Sequence, residues 1–492
     1  MDSQLLYILP FAAGYAKQRD IRFIVLDKPL PKQVADNSCI NSILDGMEII
    51  YLNPSMPRLY SLIKRLWKRL RASYIRGIPL GIKLNRDLLL TQSDWFKTQV
   101  NHAIWDTSFY NSADGLLDLN IFSRLRSANA VSCNIKMARI LEKKYHVTDA
   151  ILGHVVYAGR ALASELKRNG VNVMAHAASV IYHMPDKNDT RWSFVSRSLY
   201  NFASYMQKDM LYQAGNYWKG RTKGISLYQD AKDAYTGHSA SKGEVPVNVV
   251  FLHVFRDSPF NYIDRQRVFA DYIEWISCTL REIANSDEDW LIKPHPSASA
   301  WGEDQFTWLE SFSNNLFNGV WPKNIMVEDR YSNMYVLAKA KRVITYHGTV
   351  HLEAAAYGIK PIVIADVTLN KFDPNYVHKP RTLEEYLGLL RLPSTDVGFL
   401  LDKKSRDESK ILLYLRENLL PFSSLTGSYT VRRFDGEQAF NAEFRTVAAN
   451  LPLFAEYMIK LGCAMSRGLP HSISLEYLDE WMCFNKEHLS QV

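Results

Sequence analysis

Three polar clusters each follow an apolar, strand-like run. "HVFRDSP" closes the run that begins at Val247 and offers Arg256, Asp257 and Ser258. "KPHPS" follows "DWLI" and offers Lys293, His295 and Ser297. "TYHGTVHLE" follows "RVI" and offers His347, Gly348, Thr349, His351 and Glu353. A loop entering a helix presents unpaired N–H groups and a partial positive charge, a ready anion site. Gly348 lets the backbone approach a phosphate closely. Thr349 can cap the helix and donate to a phosphate oxygen. Glu353, four residues on, shares its helical face and can accept from ribose hydroxyls. His295 can donate to a phosphate or leaving group. His347 lies in the turn and is the better ligand candidate of its pair, while His351 fits packing. A plainer description also fits: Thr349 only caps, Glu353 faces solvent, and Asp257 is a turn residue before Pro259. What carries information is that all three clusters recur at equivalent places in one expected sheet.

The elements that must position them read clearly. "VNVVFLHVF" (Val247 to Phe255) is a buried strand, and Asp264 to Ser286 is an amphipathic helix with Val268, Tyr272, Trp275, Ile276 and Leu280 on one side. "DWLIKPHP", "NIMVED", "RVITYHG" and "KPIVIA" supply further strands. Ser332 caps the helix in "SNMYVLAKAK", and Gly358 ends the one in "VHLEAAAYG". Earlier, Asp149 to Leu152, Tyr157 to Arg168 and "VNVMAH" form strand, helix and strand, with Gly170 as the stop. That length implies a parallel sheet. "IRFIVLD" and "GMEIIYLN" add two strands nearer the N-terminus, "NDTRWSFVSRSLYNFASYMQKDMLYQAGNYWKG" looks helical, and "SASKGEVP" reads as a linker. The expected fold class is α/β: two facing Rossmann-like domains with a cleft between them, plus a helical C-terminal region. The expected divisions are 1–185 (acceptor side), 186–246 (connector), 247–400 (nucleotide-sugar side) and 401–492 (mainly helical). In open α/β sheets ligands bind beyond the carboxyl ends of the strands, which is where the three clusters stand.

With 492 residues the chain is too long for one ordinary core. Apolar residues at 47% and charged residues at 22% are ordinary for a globular protein. A net charge of +8 and a pI near 9.0 fit an anionic partner without choosing one. Five scattered cysteines with no CxxC spacing suggest neither zinc nor a disulfide framework. The N-terminus lacks a basic n-region and carries Asp2, so it makes a poor signal peptide. No stretch reaches about 18 uninterrupted apolar residues. A cytoplasmic chain, peripheral at the inner face of the membrane, is the expected setting.

The order strand-Asp, "KPHP" and "HGTVHLEAAAYGIKPIV" resembles the C-terminal half of GT-B glycosyltransferases, and more closely the capsule polysaccharide biosynthesis family, which includes β-Kdo transferases. The match covers Val247 to Ala365. The resemblance implies a transferase of bacterial surface polysaccharide that takes Kdo or a related ulosonic acid from a CMP donor to a glycan or glycolipid acceptor. It implies a nucleophilic role for Asp257 in a retaining double displacement, contact of His295 with the donor phosphate, and nucleotide binding by the HGT turn and Glu353. Family members carry an acidic residue late in the N-terminal half; here "VMAHAASVIYHMPDKND" begins with His176, Tyr182 and His183 instead. Asp106, His154 and Glu165 stay open as replacements.

No DxD motif stands at a strand end, so no metal and no cofactor beyond the nucleotide sugar is expected. A nucleotide-sugar 2-epimerase of the same architecture and a non-catalytic assembly protein are the alternatives; the epimerase's fuller Ser-Gly-Gly signature is missing. Arg58 to Gly77 places Leu59, Leu62, Ile63, Leu66 and Leu70 on one helical face, with Lys64, Arg65, Lys68 and Arg69 among the basic residues on the others. This fits a helix on an anionic membrane, or a domain helix with solvated charges. No stacking platform or DNA-binding motif suggests nucleic acid.

Overall fold

The computed structural model describes residues 2–19, 21, 23–26, 36–51, 95–111, 121–153, 155–177, 180–184, 201–203, 205–223, 244–257, 268–269, 272–365, 375–419, 451–467, 473 and 477–488. In chain order these form α1 (Asp2–Gln18), β1 (Phe23–Leu26), α2 (Ser38–Ile43), β2 (Glu48–Tyr51), α3 (Trp95–Asn111), α4 (Ile121–Tyr145), β3 (Asp149–Leu152), α5 (Tyr157–Arg168), β4 (Asn172–Ala177), β5 (Val180–His183) and α6 (Gln207–Arg221). Then follow β6 (Asn248–Phe251), α7 (Tyr272–Ile283), β7 (Trp290–Lys293), α8 (Gln305–Phe317), β8 (Ile325–Val327), α9 (Asn333–Lys339), β9 (Arg342–Thr345), α10 (Val350–Tyr357), β10 (Ile362–Val363), α11 (Leu383–Arg391), α12 (Lys403–Tyr414), α13 (Leu451–Ser466) and α14 (Leu478–His488).

The chain divides into two compact units, Met1–Leu88 with Asp435–Leu469, and Leu89–Phe434 with Pro470–Val492. The sequence divisions at 185, 246 and 400 do not coincide with them. In the first unit β1 and β2 pair in parallel, and α1 crosses α13 at glycines: a Cβ on Gly462 would overlap Phe11 O, and one on Gly14 would overlap Ile459 O.

In the second unit the expected strand–helix–strand is present, with β3 and β4 parallel and α5 on the predicted residues. Gly170 takes φ +83° after α5, as a left-handed stop requires. β5 then folds back antiparallel on β4, so this sheet is mixed. Among the described residues, the first half of the chain thus holds the parallel pair β1–β2 and the mixed sheet β3–β4–β5.

The sheet that matters for the site is parallel throughout, in the order β10-β9-β6-β7-β8. Alternation along its strands builds two cores. Val250, Trp290, Ile292 and Ile344 pack with Tyr272, Trp275, Ile276 and Leu280 of α7 and with Trp308 and Phe312 of α8. Val249, Phe251, Leu291 and Val343 pack on the other face with Val336 and Leu337 of α9 and Ala354 of α10. Ser332 caps α9 by accepting from Tyr335 N, as its position predicted. From β6 the chain proceeds to β7 and β8 on one side, then crosses to β9 and β10 on the other. The strand order reverses between β6 and β9, and open α/β sheets bind ligands beyond the carboxyl ends at such a switch.

Candidate active site

Both strands at the switch deliver a histidine. His253 stands two residues past β6 and His347 two residues past β9, with ring centroids 3.6 Å apart. His295, past β7, lies 5.5 Å from His253. Asp257 Oδ2 lies 3.6 Å from His253 Nε2. Three strand ends thus bring Asp257, His295 and His347 together, and His253, an unforeseen fourth, sits among them. Its signal was a polar residue inside the apolar run "FLHVF".

The imidazoles are held in defined ways. His347 Nε2 meets the Tyr272 hydroxyl at 2.7 Å. His295 Nδ1 accepts from Ser297 N at 3.1 Å, which leaves Nε2 to carry the proton of a neutral ring. His351 Nδ1 meets the Gly348 carbonyl. Burial keeps all four uncharged near neutrality. It holds His295 down to about 3 and His351 to about 4, and it takes His253 below its ordinary value and His347 well below. The Arg416 guanidinium adds to that depression at His253, His347 and His351. Arg416 belongs to a π-helical turn, Leu415–Leu419, that continues α12.

Gly348 adopts φ +131°, a backbone conformation rare for L side chains, where β9 turns into α10. Thr349 occupies the N-cap position of α10, but its side chain makes no capping bond. Ser297 is buried and works here through its backbone N–H. Lys293 is buried at the end of β7, and its ammonium donates to the Asp329 carbonyl at 3.2 Å. Burial brings it down to about 8.

Glu353 lies elsewhere than the sequence suggested. Its carboxylate is 1% exposed, and Oε1 accepts from Arg221 Nη2 at 2.7 Å and Nε at 3.0 Å. Arg221, at the end of α6, also donates to Glu417 at 2.6 Å, and Tyr217 bonds the same Glu417 oxygen. Glu353 is therefore neither a solvent-facing residue nor an open acceptor; it binds α10 to α6 and the π-helical turn. Two of the residues left open as acid or base are likewise committed. Asp106 is fully buried 3.8 Å from Arg160, and Glu165 accepts from Arg139 at 2.6 Å. His154 lies outside the described residues, as do Lys64, Arg65, Lys68 and Arg69. Among the described residues no helix is long and apolar enough to cross a membrane, and no group of three or more His, Cys, Asp or Glu is arranged to hold a metal ion.

No protein-family model matches the chain, and no curated protein matches it. Among solved structures, the UDP-GlcNAc 2-epimerase of Methanocaldococcus jannaschii, in complex with UDP-GlcNAc and UDP, is similar over 58% of this chain and 81% of its own, at 14% identity and a TM-score of 0.27. The calicheamicin glycosyltransferase CalG4 is similar over 98% and 94%, at 11% identity and a TM-score of 0.22. The glycosyltransferase VinC, in complex with dTDP, is similar over 99% and 98%, at 13% identity and a TM-score of 0.17. Scores of this size place no constraint on the reaction.

Proposed function

We propose that the protein is a GT-B-type glycosyltransferase that transfers a sugar from a nucleotide donor to a glycan or glycolipid acceptor. The observation that carries this reading is the switch between β6 and β9, where Asp257, His253, His295 and His347 converge on the entry to α10. The Gly348–Thr349 turn offers backbone N–H groups to a phosphate. His295 offers a neutral Nε2–H donor to the departing oxygen. Asp257 then attacks the anomeric carbon, and the C–O bond breaks with its electron pair leaving on the nucleotide. An acceptor hydroxyl then attacks the anomeric carbon, the bond to the carboxylate breaks to restore Asp257 as the anion, and the hydroxyl proton passes to solvent.

The donor we favour is a CMP-linked ulosonic acid such as Kdo, and the setting is surface polysaccharide assembly at the inner face of the cytoplasmic membrane. Both follow from the sequence resemblance. The test is the purified full chain against a panel of nucleotide sugars, with and without oligosaccharide acceptors. Acceptor-dependent nucleotide release supports transfer. An altered sugar released without acceptor supports epimerisation instead, and absence of both turnover and nucleotide binding overturns the enzyme reading.

A further inference from the structure

The last strand bond of the segment that presents Asp257 runs from Leu252 N to the Lys293 carbonyl at 2.9 Å, and beyond it strand pairing does not hold the chain. A buried carboxylate does. Glu303 is 5% exposed, and its Oε1 accepts from Arg256 N at 2.6 Å while Oε2 accepts from Phe255 N at 3.2 Å. The Arg256 side chain returns the contact, donating Nη1 to the Trp301 carbonyl at 3.1 Å. Gly302 turns the chain at φ +69° after the short 3-10 turn Ser299–Trp301 and so brings Glu303 back under the loop. Gln305 extends the connection. Its Nε2 donates to Glu303 Oε2 at 3.1 Å and to the His253 carbonyl at 2.9 Å, and its Oε1 accepts from His295 N at 2.7 Å.

We propose that Glu303 is the positioning residue of the site: its two bonds to the Phe255 and Arg256 amides fix the turn before Asp257, and Gln305 locks that turn to His295. The role in catalysis rests on the reading of Asp257 as the reacting carboxylate; the clamp itself does not. Burying a carboxylate is costly, so its place here requires a use beyond filling space. The desolvation is only partly offset by the N–H donors and by the Arg256 charge, and burial pushes the Glu303 carboxyl up to about 7. Neighbouring Asp304 is exposed and turned to Thr307, and burial keeps His253 and His295 neutral near neutral pH. Opening the turn would hydrate Glu303 and return it to its ordinary range. Taken alone, Glu303 therefore favours the closed turn as pH falls through about 7, while His253 and His295, depressed in the closed turn, favour its opening below about 6.5.

The test is hydrogen exchange of peptides spanning residues 253–257 in the full chain, corrected for chemical exchange, beside nucleotide release from a CMP-linked sugar. Glu303→Gln puts an NH2 donor where one oxygen accepts, so it keeps at most one of the two amide bonds and should lower the protection. Glu303→Ala should lose the protection, with kcat down at least about tenfold and KM for the donor within about twofold. Protection in Glu303→Ala or Glu303→Gln equal to wild type overturns the clamp. Normal kcat in Glu303→Ala overturns the positioning role. Should Glu303→Ala fail to fold, the comparison of Glu303→Gln with the wild type still decides the clamp. Should the wild type turn over no nucleotide sugar, the transferase reading falls while the exchange result stands on its own.

Discussion

The hydroxyl of Tyr157 donates to the carbonyl of Arg256 at 3.1 Å, across 99 residues of sequence. Tyr157 begins α5, so the β3–α5–β4 unit reaches the turn that carries Asp257. Its backbone sits at φ +51°, a costly conformation for a bulky residue, and its ring packs on Tyr110 at 4.5 Å. Tyr157→Phe removes only the bond. It should cost about 1 kcal/mol in chemical denaturation and lower kcat for donor cleavage. Unchanged stability and unchanged kcat would show that the contact holds nothing in place.

Arg221 lies between two carboxylates, and all three side chains are at most 1% exposed. Removing one member leaves buried charge uncompensated. Arg221→Ala or Glu353→Ala should therefore destabilise the fold by about 3–5 kcal/mol. Whatever remains folded should bind CMP with near wild-type affinity by calorimetry. A selective loss of CMP affinity at normal stability would return Glu353 to the ribose.

The buried histidines make stability depend on pH in a fixed direction. A His with a depressed folded value refuses a proton that the unfolded chain accepts, so stability is lost as pH falls below about 6.5. For His295 the loss continues down to about 3, and for His351 to about 4. Glu303 acts oppositely between its ordinary value of 4.5 and about 7, where it favours the folded chain as pH falls. With five depressed histidines, the four of the site and His378 beyond β10, against one raised carboxyl, the urea midpoint should drop from pH 7 to pH 5. His295→Asn should flatten that slope; an equal slope would mean that His295 titrates normally.

Much of this site was legible because its parts are local. Gly170, Ser332 and Gly358 mark element ends through conformations and caps that depend on near neighbours, and the structure places them there. The three clusters past β6, β7 and β9 follow from apolar runs that can only be buried strands. What joins the clusters was hidden. The Arg221–Glu353 pair spans 132 residues and the Glu303–Arg256 pair 47, so no periodicity announces either. His253 was masked by the apolar residues around it. Glu353 looked solvent-facing or ligand-facing because the partner that buries it sits on α6, and Thr349 looked like a cap where α10 starts without a side-chain bond.

Asp257 is the most direct test of the chemistry. It is half-buried, 3.6 Å from a histidine that burial keeps neutral, at the β6–β9 switch. A carboxylate there can form and release a glycosyl ester, whereas in the proposed reaction the nucleotide is held by the turn at α10 and by His295. The two functions should therefore separate. Asp257→Ala should abolish transfer, a loss of at least about a thousandfold in kcat, while the CMP dissociation constant stays within about twofold. Asp257→Asn preserves the shape and removes the charge, so it should be equally inactive. Transfer by either variant at near wild-type rate would exclude Asp257 as nucleophile, and loss of CMP binding together with activity would make it a donor ligand instead.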